Sequence, residues 1–213
     1  MYIQLIGRTR GGKSTTAQAL KVAIEQKYPA ATVKVVSFAT PLRELAADFF
    51  GHRDESLKRR PVALAGSAQT LNNLIDAVER FMHQYNISDN LWDILEKELF
   101  TCRTISPRRL MNIVGQAVRR IDEHFFTKIA TAVKADCVII DDTRFPNELI
   151  QDAARIVLEY NIGYVQYGID VLFLQYTDNV PEPYTVWYCS NEEEVYFNAQ
   201  DWVQKVGQRC VQY

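Results

Sequence analysis

The chain lacks the features that mark several classes of protein. It has no C-x-x-C pair, and its wide cysteine spacing argues against both a disulfide framework and a zinc site. The four cysteines are Cys102, Cys137, Cys189 and Cys210. No apolar run approaches the ~20 residues of a membrane helix. The first predicted strand follows no signal peptide. We therefore expect a cytoplasmic protein with no membrane partner.

Positive charge is also missing from one part of the chain. The formal net charge is −2, and no stripe of basic residues alternates with aromatic ones, so nucleic acid is not an expected partner. Between Ile156 and Gln208 there is no arginine and only one lysine, Lys205, against eight acidic residues. Chemistry that depends on binding phosphate is therefore expected in the first two-thirds of the chain.

The order of the predicted elements favours an α/β fold. Strands alternate with helices, and this pattern predicts a three-layer α/β/α architecture with a parallel sheet. Predicted strands cover residues 2–6, 32–38, 137–140, 164–167, 171–176 and 185–189. Predicted helices cover residues 13–28, 42–50, 106–121, 124–134, 146–160 and 192–206.

Two regions differ in composition from this core. Residues 52–104 are polar with a helical spacing of apolar residues, which predicts a helical insertion into a core made of residues 1–51 and 105–213. The insertion serves either as scaffold, the interpretation we prefer, or in substrate specificity. Residues 184–202 are rich in aromatic and acidic side chains, and they fit either a core or the interface of a homodimer.

The segment from Gly7 to Ser14 carries the strongest functional signal. It fits G-x-x-x-x-G-K-[ST] between a predicted strand and a predicted helix, which is the setting of a P-loop. Glycines allow backbone N–H groups to surround phosphate oxygens, and the helix N-terminus adds partial positive charge. In such a loop Lys13 reaches the β- and γ-phosphates of a nucleotide, and the Ser14 hydroxyl binds Mg²⁺.

Two polar clusters follow other predicted strands. One runs from Ser37 to Arg43, and the other is Asp141-Asp142-Thr143-Arg144. Ligands of open parallel sheets bind at the carboxyl ends of the strands. An aspartate there can hold Mg²⁺, and Arg144 can bind a phosphate with two hydrogen bonds. The alternatives are helix capping by the aspartates and a surface position for Arg144. Phe38 fits a core position and a base-stacking position equally well.

Four segments give the chain a resemblance to a known family. GRTRGGKSTT, SFATPLRE, SPRRLMNIVGQAVRR and VIIDDTRFPNEL occur in the same order as in phage-type deoxynucleoside monophosphate kinases. The resemblance runs from about residue 1 to residue 165. It implies a P-loop NMP-kinase-like fold, transfer of the ATP γ-phosphoryl group to a dNMP with Mg²⁺, and action in the host cytoplasm if a phage encodes the chain.

The resemblance also assigns roles to single residues. The positions expected to hold ATP phosphates are Gly7, Arg10, Gly11, Gly12, Lys13, Ser14 and Thr15. Those expected around the acceptor are Phe38, which flanks the base, and Arg43, Arg119, Arg120, Asp142 and Arg144. The residues expected to act in catalysis are Lys13, Arg119, Asp142 and Arg144, and those expected at the metal are Ser14 and Asp142.

One departure and two alternatives accompany this hypothesis. Family members carry an Arg-Pro and a mobile lid after the Asp-Thr-Arg region, but the corresponding residues 173–178 contain no arginine. Some kinases use a lid arginine to stabilise charge on the phosphoryl group during its transfer. Here either Arg8, Arg10 or Arg119 does so, or the chain is a slow or repurposed kinase. Phosphomevalonate kinase is similar as well, so another small phosphate acceptor is an alternative. The second alternative is that the chain is a P-loop module that binds nucleotide and hydrolyses it slowly.

Overall fold

A computed structural model describes residues 1–7, 11–52, 57, 59–160, 184–189 and 191–206 of the chain. The chain divides into two compact units. The first contains Met1–Phe38 and Phe126–Tyr213, and the second contains Ala39–Phe125. No helix in the described ranges is long and apolar enough to cross a membrane.

The first unit is built on a five-stranded parallel sheet. Its strands are β1 (Tyr2–Gly7), β2 (Val33–Val36), β5 (Cys137–Thr143), β6 (Ala154–Tyr160) and β7 (Tyr184–Cys189). Their order across the sheet is β2-β5-β1-β6-β7, and each neighbouring pair is parallel. The predicted α/β class with a parallel sheet is therefore confirmed. Because β1 is parallel to both of its neighbours, β5 and β6, the loops that follow these three strands emerge at the same edge of the sheet.

Two helices cover one face of this sheet. They are α1 (Lys13–Lys27) and α7 (Glu192–Val206), which contact each other. Alternate strand residues such as Ile3 and Leu5 pack against Leu20 of α1 and Trp202 of α7. Side chains at the intervening positions, Tyr2 and Gln4 among them, belong to the opposite face. On that face the Tyr2 hydroxyl donates at 2.9 Å to the carbonyl of Thr131, the last residue of helix α6 (Phe125–Thr131).

The second unit is mainly helical. Its helices are α2 (Thr40–Phe50), α3 (Ala68–Tyr85), α4 (Asn90–Leu99) and α5 (Pro107–Ile121). Helix α2 contacts α3 and α5, while α4 packs on α5. Two short strands, β3 (Val62–Ala63) and β4 (Thr104–Ile105), form an antiparallel pair. The unit contains the described part of residues 52–104, the predicted insertion, and extends beyond that range at both ends.

The chemistry of the caps explains two of the helix starts. Serine followed by proline, as at Ser106 and Pro107, is a sequence pattern typical of a helix start. In the structure the Ser106 side chain accepts from the N–H of Arg109, and Pro107 occupies the first turn of α5. At α7, Asn191 accepts from the N–H of Glu194 at 2.9 Å. The sequence Ser190-x-x-Glu193 fits a capping box for the same helix, but Ser190 lies outside the described residues.

One sequence-based element is wrong. Residues 146–160 are not a helix, because a short 3-10 helix at Pro146–Glu148 is followed by strand β6. The run from Ile156 to Leu158 is apolar and buried, and such a run fits a central strand as well as a buried helix. Residues 154–160 form a strand because they pair with β1 on one side and β7 on the other. The strands predicted at 164–167 and 171–176 lie outside the described residues.

Candidate functional site

The glycine-rich loop begins where β1 ends. A Cβ on Gly7 would lie 3.2 Å from the Cβ of Leu158, which is closer than side chains ordinarily pack. Gly12 has a φ of 72°, in the left-handed region that suits glycine, and its carbonyl accepts from the N–H of Thr16 at 2.8 Å. The backbone conformation at Gly12 therefore favours glycine, while a side chain at Gly7 would require Leu158 to shift by a few tenths of an ångström. Residues 8–10 lie outside the described residues, and with them Arg8 and Arg10, of which Arg10 is a predicted phosphate-binding residue.

Lys13 is a buried cation at this edge of the sheet. Its side chain is 8 % exposed, and Nζ donates to the carbonyl oxygen of Gly7 at 2.5 Å. Burial, and after it the guanidinium of Arg144, lower the pKa of Lys13 to about 8, while Asp142 and Asp141 act in the opposite direction. A phosphate anion placed here would replace the solvation that the ammonium group has lost and would offset its repulsion from Arg144.

Ser14 and Asp141 join the glycine-rich loop to the end of β5. The Ser14 hydroxyl donates to Oδ2 of Asp141 at 3.0 Å, and the Ser14 side chain is exposed. A hydroxyl beside a carboxylate supplies the oxygen ligands that Mg²⁺ prefers. Among the described residues no group of three or more His, Cys, Asp or Glu side chains is arranged to hold a metal. The pair fits a magnesium ion that also takes ligands from water and from a bound phosphate.

Asp142, the next residue, makes a different set of contacts. It is 6 % exposed, Oδ2 accepts from the hydroxyl of Ser37 at 2.5 Å, and Oδ1 accepts from the N–H of Phe38 at 2.7 Å. These bonds fasten the segment after β2 to the end of β5. The metal, catalytic and acceptor roles of Asp142 stay predictions, and the contacts above favour Asp141 as the carboxylate nearest Ser14.

Three other predicted residues lie in the first unit. Thr15 is half-buried in the first turn of α1. The Phe38 ring is 3 % exposed, which favours the core position over the base-stacking one, so its contact with a base stays a prediction. Arg144 is exposed, and its charge acts on Lys13. The first unit thus brings Lys13 and Arg144 together with Asp141 and Asp142.

The remaining predicted arginines belong to the second unit. Arg43 is exposed on α2. Arg119 is half-buried on α5 and its Nη1 donates to the carbonyl of Gly115 at 3.4 Å. Arg120 lies 3.7 Å from Glu98 in an ion pair whose side chains are both more than 40 % exposed. The roles predicted for these arginines in acceptor binding and catalysis stay predictions.

Sequence reasoning did not resolve which aspartate of this edge faces Ser14, and it missed one further residue. The pairing of Asp141 with Ser14 could not be read from the sequence, because adjacent strand residues point to opposite faces and either aspartate fits the motif. Glu148 was missed because 146–160 was predicted as a helix. It is 3 % exposed, and its carboxylate accepts the N–H of Arg144. The signal that was available is a lone glutamate in an apolar setting four residues after an arginine.

Comparisons with known proteins assign no family. No protein-family model matches the chain, and no curated protein matches it either. The geometry of the glycine-rich loop and of the end of β5, together with the resemblance of the four sequence segments, is therefore what supports a function for the chain.

Proposed function

We propose that the chain is an ATP- and Mg²⁺-dependent kinase with a P-loop NMP-kinase-like, three-layer α/β/α fold that phosphorylates a deoxynucleoside monophosphate to the diphosphate. One observation carries this proposal. The hydroxyl of Ser14 donates to a strand-end aspartate, Asp141. The ammonium group of Lys13 lies beside the same strand ends, and the positive charge of Arg144 contributes to lowering the pKa of Lys13. A P-loop serine with a strand-end aspartate is the set of groups that holds Mg²⁺ in P-loop enzymes.

In this proposal the residues position phosphates and balance charge. The N–H groups from Gly11 to Thr15 face the phosphates of ATP at the start of α1, and Lys13 exchanges its bond to Gly7 for a bond to phosphate oxygen. Magnesium held at Ser14 and an aspartate, in part through water, supplies neutralisation of charge on the β- and γ-phosphates. Asp142 keeps the strand ends together for this purpose.

The transfer itself needs no covalent enzyme intermediate. An oxygen of the acceptor phosphate forms a bond to the γ-phosphorus, the bond from that phosphorus to the β–γ bridging oxygen breaks, and ADP leaves. Arg144 stabilises negative charge on the acceptor phosphate and on the phosphoryl group during its transfer. The family resemblance adds Arg43 and either Arg119 or Arg120 for the acceptor.

A screen of substrates tests this proposal. The purified chain is incubated with ATP, Mg²⁺ and each NMP, dNMP or phosphomevalonate in turn, and products are separated by ion-exchange chromatography. We expect a dNDP and ADP in equal amounts from at least one dNMP. Formation of mevalonate diphosphate alone would assign the alternative acceptor, and an absence of any phosphorylated product would contradict the kinase proposal.

A second candidate is a nucleotide-binding module with slow hydrolysis. The observation that favours it is the absence of arginine from residues 173–178, where the kinases that the chain resembles carry a lid arginine. The two functions differ in their products. A hydrolytic module yields ADP and inorganic phosphate at a rate that dNMP does not change, whereas a kinase yields dNDP.

A further inference from the structure

The segment that carries Arg144 is held by buried polar side chains. Arg144 itself is exposed, yet Gln4, Glu148 and Arg155 are 0 %, 3 % and 7 % exposed. Burying a polar group is unfavourable unless hydrogen bonds replace those it made with water. The bonds of these three side chains converge on residues 143–151, directly after β5.

Glu148 makes the most direct connection to Arg144. Its Oε2 accepts the backbone N–H of Arg144 at 2.8 Å and that of Phe145 at 3.1 Å. Its own N–H donates to the carbonyl of Phe145 at 3.0 Å. Hydrogen bonds to an ionised carboxylate are shorter and stronger than neutral ones, so they fix the direction in which the chain leaves β5.

Two strands anchor this arrangement from behind. Gln4 of β1 donates through Nε2 to the carbonyl of Glu148 at 2.7 Å, and its Oε1 accepts the N–H of Ile150 at 2.9 Å. Arg155 of β6, which lies opposite Gln4 in the register, donates through Nη2 to the carbonyls of Ile150 and Gln151 at 2.9 Å and 3.2 Å. The strand that ends in the glycine-rich loop therefore also anchors the segment of Arg144.

The geometry points to Glu148 as a positioning residue that acts through the backbone of Arg144 and holds its guanidinium at the phosphate-binding edge, an inference that rests on the proposed kinase function. A rotation at Arg144 moves the far end of a long side chain by several ångströms. A misplacement of about 1 Å can lower a rate by about 100-fold. A buried glutamate that served only to satisfy loop N–H groups would affect stability without a preference for one substrate.

A double-mutant cycle separates these two roles. We expect Glu148→Ala to lower kcat/KM for the dNMP by about 10-fold, and by no more than Arg144→Ala does, while the KM for ATP changes by less than about 3-fold. Glu148→Gln retains a carbonyl oxygen for both N–H groups and recovers most of the loss. In an Arg144→Ala background, Glu148→Ala has little further effect, because the residue through which it acts is gone. Multiplicative losses in the double variant would overturn the inference.

The control and a second readout keep the result decisive. Asp152 is an exposed carboxylate on the same segment, and Asp152→Ala should match the wild type in both KM values. Circular dichroism and thermal unfolding identify variants that do not fold, and if Glu148→Ala is among them, Glu148→Asp, whose shorter side chain withdraws the carboxylate, replaces it in the cycle.

Binding of inorganic pyrophosphate, measured by calorimetry, repeats the cycle without turnover. If the wild type makes no dNDP, the kinase proposal fails, and pyrophosphate binding still decides the inference. Weaker binding in Glu148→Ala and in Arg144→Ala, with no further loss in the double variant, supports the inference. Equal binding by the wild type and Glu148→Ala, or no binding by the wild type, overturns it.

Discussion

The two units bury different kinds of side chain. Among the residues that the structure describes, every buried polar or charged side chain belongs to the first unit. These residues are Gln4, Lys13, Thr16, Asp142, Thr143, Glu148 and Arg155. In the described part of Ala39–Phe125 the buried side chains are apolar, Leu74, Leu91 and Leu110 among them. Among the described residues, the buried polar side chains that need compensating bonds are therefore concentrated in the first unit.

This difference separates function from stability. Lys13 bonds to the last residue of β1 and Asp142 lies near the end of β5, while Gln4, Glu148 and Arg155 bond to the segment that carries Arg144. Two described ion pairs of the second unit, Arg80–Asp48 and Arg120–Glu98, are solvent-exposed and contribute little to stability. Substitutions in the first unit should therefore change chemistry first, and substitutions in the second should change stability first.

The largest expected effect follows removal of the buried ammonium group. Lys13→Ala should lower kcat/KM by about 100- to 1000-fold or more, because it deletes a preorganised positive charge at the phosphates. The fold should persist, as judged by circular dichroism. A coupled assay of ADP release measures the effect, and Lys21→Ala on the same helix is the matched control. Near-normal turnover by Lys13→Ala would exclude Lys13 from the site.

Removing a core side chain from the second unit should lower the stability of the protein and leave substrate binding unchanged. Leu110 is 0 % exposed on α5, and Leu110→Ala should lower the free energy of unfolding by about 2 to 5 kcal/mol, measured by urea denaturation. Both KM values of the folded protein should stay within about 2-fold of the wild type, whereas exposed Asn112→Ala should change nothing. A change of KM without a loss of stability would break the distinction between the units.

The pH dependence of stability tests the burial of Lys13. Its folded pKa, about 8, lies below the value of 10.5 for an unperturbed lysine, so between these values the unfolded chain binds more protons. Stability of the wild type should rise with pH across this window, by about 2 to 3 kcal/mol relative to Lys13→Met, and the difference should be flat below pH 8. Urea denaturation from pH 7 to pH 10.5 measures it. Parallel curves for the two proteins would show that Lys13 is solvated.

The smallest of these effects concerns the acceptor. Arg144→Ala should raise the KM for the dNMP by about 10- to 30-fold with little change in the KM for ATP, since one charged hydrogen-bond partner is lost. Initial rates with each substrate varied in turn give both constants, and Arg80→Ala on the exposed surface of α3 is the control. Equal increases in both KM values would remove Arg144 from the acceptor site.

Local sequence signals were sufficient where they depend on short spacings. The strand before Gly7, the helix after Gly12 and the cap at Ser106 follow from turn and capping chemistry that neighbouring residues determine. The strand at 154–160 was missed because its apolar run acquires its identity from pairing with β1 and β7, which are remote in sequence. The choice between Asp141 and Asp142 also depends on remote residues, Ser14 for one and Ser37 for the other.

Binding of ATP to the wild type and to Lys13→Ala tests the central claim most directly. The claim is that the glycine-rich loop after β1 binds the phosphates of ATP through Lys13 and its neighbours. Isothermal titration calorimetry with Mg²⁺ present should show binding of one ATP by the wild type and an affinity about 10- to 100-fold lower for Lys13→Ala. Equal affinities, or no binding of ATP by the folded wild type, would contradict the account.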